Sequence, residues 1–151
     1  MQEIRYDDNI TEIEKELRYL CTIIKQKGRE ILTDFSITPP QFEALQYLIN
    51  NEDITIGELS SKMFLACSTI TDLVDRMEKN QLVKRVRDEK DRRVVRVQVL
   101  EKGHELINEV LHARRNYLAD VLKEVSQQQR GFILEGISKV YEKTVEDVSK
   151  R

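Results

Sequence analysis

The chain has 151 residues, enough for one domain that buries roughly 70% of its unfolded surface without a metal or disulfide staple. Five glycines, two prolines and 34% charged residues disfavour a turn-rich sandwich or barrel, a collagen-like chain and a Gly-rich linker protein; they favour helices with solvated faces. Cys21 and Cys67 make no CxxC or metal spacing and, without a recognisable signal peptide, point to a reducing cytoplasm, while the longest charge-free stretch, Met63 to Thr71, is too short for a membrane span of about 20 apolar residues.

The net charge of −2 hides a local basic patch. Between Arg76 and Arg96 stand nine basic and four acidic residues, a balance of +5, so the rest of the chain carries −7.

In chain order, Ile10, Ile13, Leu17, Leu20 and Ile24 follow a 3-4-3-4 spacing and predict a long helix to about Asp34. Its narrow seam is of coiled-coil type and calls for another helix, from this chain or a partner. Thr38-Pro39-Pro40-Gln41 is a helix start: Thr38 can cap, Pro39 suits the first position and Gln41 can complete a capping box. Phe42, Leu45 and Leu48-Ile49 share a face of that helix. A second capping-box pattern, Thr55 to Glu58, opens a short helix with Leu59 and Met63 facing inward. After a turn at Phe64-Leu65-Ala66, a third helix from about Ser68 to Asn80 turns Ile70, Leu73, Val74 and Met77 inward. Ser68, Thr69, Thr71, Asp72, Asp75 and Arg76 face outward.

The period then changes. Leu82 to Val86 reads as a strand, Asp88 to Asp91 as a turn, and alternating Val95, Val97 and Val99 as a second strand, so the two form a hairpin. Beyond Lys102-Gly103 the helical period returns through Leu106, Val110, Leu118 and Val125. Ser126 to Gln129 caps a last helix carrying Ile133, Ile137, Val140, Tyr141 and Val148.

A short helix, a tight turn, a second helix and a basic hairpin make a winged helix-turn-helix. The fold class expected is mainly α with a small β-hairpin. Such a helix fits the major groove, where Ser68, Thr69 and Thr71 can bond bases or phosphates. Arginines at the hairpin tip can reach the adjacent minor groove, whose negative potential attracts guanidinium groups. The candidate DNA-binding residues are Ser68, Thr69, Thr71, Asp72, Arg76, Arg87, Lys90, Arg92 and Arg93. Asp72 could accept from cytosine N4, but Asp72–Arg76 and Asp75–Lys79 pairs along the helix are the stronger expectation, because an unpaired acid beside phosphate is repelled. Arg85, Arg87 and Arg96 can also be read as strand solubilisers.

The stretch from Leu73 to Gly103, LVDRMEKNQLVKRVRDEKDRRVVRVQVLEKG, closely resembles the signature of the MarR family (multiple-antibiotic-resistance regulators), as does Ile37 to Phe42. The resemblance covers residues 10 to 148. It implies one MarR-like domain over 1–151. Residues 10–34 and 103–148 would form dimerisation helices, and 38–100 a DNA-binding lobe with its wing at about 82–99. It also implies a homodimeric transcription regulator, expected to be a repressor of a pseudo-palindromic operator; from the residues themselves the expectation is a cytoplasmic protein without a cofactor, metal or catalytic activity. Arg93 would enter the minor groove, and Asp91 would orient the wing by pairing with Arg76. Gln81 stands where the family often has glycine, and Leu100 where it often has a capping Thr.

The family often binds phenolic or lipophilic acids as effectors; Tyr19, Tyr47, Tyr117 and Tyr141 could line such a pocket or serve as ordinary core and interface aromatics. Cys67, at the start of the recognition helix, is a candidate redox sensor whose oxidation would add bulk or charge at the DNA face, set against a small residue at a tight turn. Cys21 is a weaker candidate, lying later than the reactive Cys of peroxide-sensing members. His104 and His112, two helical turns apart, are too far apart to hold one ion unaided. No GxSxG, P-loop, GxGxxG or HExxH motif supports an enzyme. A purely helical interaction scaffold would explain the apolar seams but not the basic hairpin.

Overall fold

The computed structural model describes residues 7–151, which form two compact units that divide within one helix, after Ala113. Helix α1 spans Asp8–Asp34, and the Asp7 carboxylate accepts from the Ile10 N–H at 2.7 Å to cap it. Helices α2 (Pro39–Asn50) and α3 (Ile56–Met63) begin with completed capping boxes at Thr38/Gln41 and Thr55/Glu58. Helix α4, Cys67–Lys79, follows a three-residue turn. Strands β1 (Val83–Arg87) and β2 (Val95–Val99) pair antiparallel, with Val83 opposite Val99 and Arg87 opposite Val95. Helix α5 covers Glu101–Val121 and α6 covers Gln127–Ser149, the latter capped by the Ser126/Gln129 box. The expected fold class is therefore the observed one.

The core of the first unit joins all the central elements. Leu45 of α2, Leu59 of α3, Ile70, Val74 and Met77 of α4, Val83, Val97 and Val110 are fully buried. Each such side chain contributes about 1.5–3 kcal/mol through loss of apolar surface to water. The inward faces read from sequence hold, except that Leu73 and Ile49 are only half-buried. α1 joins this core only near its C-terminal end, through Gly28, Ile31 and Leu32.

Element ends are set by left-handed residues rather than glycines. Phe64 (φ 54°) ends α3 and Gln81 (φ 62°) follows α4. At each, an N–H one residue further on reaches back five residues, Leu65 to Ser60 O and Leu82 to Met77 O, closing a Schellman-type turn. A side chain in this conformation costs on the order of 1 kcal/mol relative to glycine. Leu100 offers no capping oxygen; its carbonyl accepts from the N–H groups of Gly103 and His104, and its own N–H donates to Leu82 O at 2.9 Å. Gly103 is required here, because a Cβ would lie 2.7 Å from Val99 Cγ1 and still closer to Leu82 O.

The second unit has no buried residue: Phe132, Ile133, Leu134, Ile137, Tyr141 and Val148 of α6 are all exposed. The predicted seam of α1, from Ile10 to Ile24, is exposed as well.

Candidate nucleic-acid interface

The candidate surface begins at the N-terminus of α4. Ala66 supplies no side-chain cap, so the first N–H groups of this helix remain open to an outside acceptor. Cys67, Ser68, Thr69, Thr71, Asp72 and Arg76 are all exposed on it. The Thr71 hydroxyl donates to Cys67 O at 2.8 Å, leaving the methyl and the oxygen lone pairs for a ligand. Arg76 and Asp72 do not form the expected pair, and among the described residues neither has an ion-pair partner.

Asp75 does not pair with Lys79 either. It accepts from Arg85 on β1. Arg85 also donates from Nη1 to Glu78 Oε1 (3.0 Å), from its backbone N–H to Glu78 Oε2 (2.7 Å) and from Nη2 to Thr71 O (3.2 Å). It is therefore a clamp between strand and recognition helix, and not a strand solubiliser. The planar fork of a guanidinium is what lets one side chain reach two carboxylates and a carbonyl.

Arg96 on β2 is the second correction of this kind. Its guanidinium reaches Asp88 Oδ2 at 3.2 Å and Asp53 O at 2.6 Å, tying the wing loop to the α2–α3 connection. Beside it, Val97 N–H donates to Ile54 O, and Thr55 makes a single antiparallel bridge to Arg96. Arg87, by contrast, is exposed at the end of β1.

The wing tip is an ordered turn. Asp88 Oδ1 accepts from the Lys90 and Asp91 N–H groups, and these bonds with the Arg96 guanidinium hold its carboxyl below the usual carboxylate range. Asp91 accepts from the side chain of Arg93 (Nε, 3.1 Å) and from its backbone N–H (3.1 Å), which lower its carboxyl likewise. The partner of Asp91 is thus Arg93, two residues away, and not Arg76. The pairing leaves the Arg93 side chain 91% exposed, so its charge is aimed outward with Lys90 and Arg92 also exposed beside it.

Cys21 is exposed on α1, and His104 and His112 are exposed on α5. A cleft of about 400 Å³ lies in the first unit between the α1–α2 turn, the end of α4 and α5. Phe35, Leu82 and Leu106 line it with Lys102, Glu105 and Glu109, and none of the four tyrosines considered above does.

An exposed polar helix followed by a basic wing is a helix-turn-helix surface, and comparison with known proteins agrees. Residues 37–95 match the model of the MarR family. An uncharacterized HTH-type transcriptional regulator of Bacillus subtilis, YsmB, is 54% identical over 122 residues, 81% of this chain and 84% of that protein. The chain belongs to the MarR family. It is accordingly a transcription regulator of the helix-turn-helix type. A MarR family protein from Bacillus stearothermophilus has a structure that superposes with a TM-score of 0.82 at 50% identity, covering 93% of this chain and 99% of that one. A mutant of MepR from S. aureus, solved bound to an oligodeoxyribonucleotide, shares the fold at 18% identity (TM-score 0.70; 87% and 97% covered).

Signals within one element were readable from sequence, including the three capping boxes and the outward face of α4. Sequence reasoning missed the clamping roles of Arg85 and Arg96. Only the basic period of the hairpin hinted at them, and it does not name their partners.

Proposed function

We propose that the protein is a homodimeric repressor that occupies a pseudo-palindromic operator in the cytoplasm and is released by a small-molecule effector. The observation that carries this reading is the joining of two surfaces by Arg85: the exposed face of α4 and the outward-aimed Arg93 of the wing. In this reading Ser68, Thr69, Thr71, Asp72 and Arg76 lie along a major groove. Arg87, Lys90 and Arg92 neutralise phosphates, and Arg93, held by Asp91, enters the minor groove. Residues 38–100 act as the DNA lobe, and residues 10–34 and 103–148 supply the dimer contact, which would bury the seams that α1 and α6 leave exposed. Two lobes would read half-sites about 10 bp apart. A dimer seated there represses by excluding other proteins from the same DNA.

The effector reading rests on the cleft beside Lys102. Phe35, Leu82 and Leu106 suit an aromatic or lipophilic body, while Glu105 and Glu109 share the lining with Lys102, so the charge balance of the cleft fits a neutral ligand better than an acid. A ligand there would act by favouring a lobe spacing that does not match the operator.

Fluorescence anisotropy on DNA upstream of the gene tests the core of the proposal. Arg93→Ala should weaken binding about tenfold or more while sedimentation still reports a dimer. Unchanged affinity would remove the wing from the interface. The same titration with peroxide-treated protein and Cys67→Ser separates effector release from thiol control.

A further inference from the structure

Phe64 is the most exposed large apolar side chain among the described residues, at 94%. Its backbone is left-handed (φ 54°, ψ 39°), a conformation that Gly or Asn adopts at lower cost. The turn around it is firmly closed: Leu65 N–H donates to Ser60 O, Phe64 N–H to Ser61 O, and the Ser60 hydroxyl to Leu65 O. The fold therefore dictates the backbone conformation but takes no packing energy from the ring. Neither local conformation nor the core accounts for a phenylalanine here.

Its location supplies an account. Phe64 stands three residues before Cys67, at the open N-terminal end of the recognition helix, and the residues that follow into the helix, Ser68 and Thr69, are exposed too. Recognition helices present their N-terminal residues to base edges. The apolar group that bases offer in the major groove is the thymine C5-methyl, and a phenylalanine ring is one of its side-chain partners. We propose that Phe64 is a specificity-determining residue, its ring packing on a thymine methyl at the edge of the half-site. This rests on the regulator reading above and extends it to a residue outside the polar helix face and the wing.

The test uses the full-length protein and a duplex that it selects from a random pool, synthesised with thymine and again with deoxyuridine, which lacks the methyl. Phe64→Asn should bind the thymine duplex about five- to tenfold more weakly than wild type, as expected for one lost base contact. On the deoxyuridine duplex the two proteins should bind alike. The melting temperature of Phe64→Asn should equal or exceed that of wild type; should this variant fold poorly, Phe64→Gly carries the same comparison. Unchanged affinity on the thymine duplex overturns the proposal. An equal loss on both duplexes overturns it as well, placing the ring on sugar or backbone instead. A change in oligomeric state with unaltered DNA affinity assigns Phe64 to a contact between copies and also overturns it. Failure of wild-type protein to select any duplex would defeat the regulator reading itself, and is distinguished by needing no variant.

Discussion

Two carboxylates organise the wing tip, and each does so by accepting from groups on its own loop. Asp88 holds the N–H groups of Lys90 and Asp91, and Asp91 holds Arg93 by side chain and backbone. Both groups are stabilised in the charged form, so both titrate below their ordinary value. The sign follows from linkage: their contribution to wing order is fully present above the ordinary carboxylate value of about 4 and is lost as pH falls through the lowered one. DNA affinity and the backbone amide signals of Lys90, Asp91 and Arg93 should therefore show no wing transition between about pH 8 and 5. A transition of these amides near neutrality, followed by NMR, would contradict the assignment.

At the level of elements, the geometry between recognition helix and wing depends on Arg85. Its partners Glu78, Asp75 and Thr71 span two turns of α4, so one side chain sets where the helix lies against β1. Arg85→Met would leave Glu78 and Asp75 without their cation. Both carboxylates are partly exposed, so solvent screening keeps the cost to stability at about 1 kcal/mol. The effect on function should be larger. Hydrogen exchange should lose protection along α4 and β1 but not α2, and DNA affinity should fall about tenfold. Arg85→Lys should not restore it, since an ammonium cannot fork between the two acids. Equal loss of protection across all helices would mean that Arg85 supports the whole fold rather than this junction.

For the molecule as a whole, apolar surface is divided unevenly. The central elements close an apolar core, whereas α6 exposes Ile133, Ile137 and Val140, and α1 exposes Leu17 and Leu20. Exposed apolar stripes of this kind mark contact with another surface. Wild-type protein should sediment as a dimer at micromolar concentration, and Ile137→Glu should shift it to monomer by placing a charge in the seam that the proposed dimer would bury. Operator affinity should fall with it, because two half-sites would no longer be read together. A wild-type monomer would refute the arrangement.

The features legible in the chain were those carried by neighbours in sequence. The capping boxes at Thr38, Thr55 and Ser126 join residues three apart, the α4 core face repeats with the helical turn, and the valines of β2 alternate with the pleat; each signal is local, so each survives in one dimension. The resemblance of residues 73–103 to the MarR signature added the fold and the class of function. What folding alone decided was which charge meets which. Asp75 was expected to pair with Lys79 and pairs with Arg85 on β1, and Arg96 finds a carbonyl 43 residues away; Asp91, expected to pair across to Arg76, is the exception that stays local and holds Arg93 on its own loop. Arginine and carboxylate are alike wherever they stand in a sequence. Their pairing depends on which elements the buried core brings side by side, and that is a property of the packed chain.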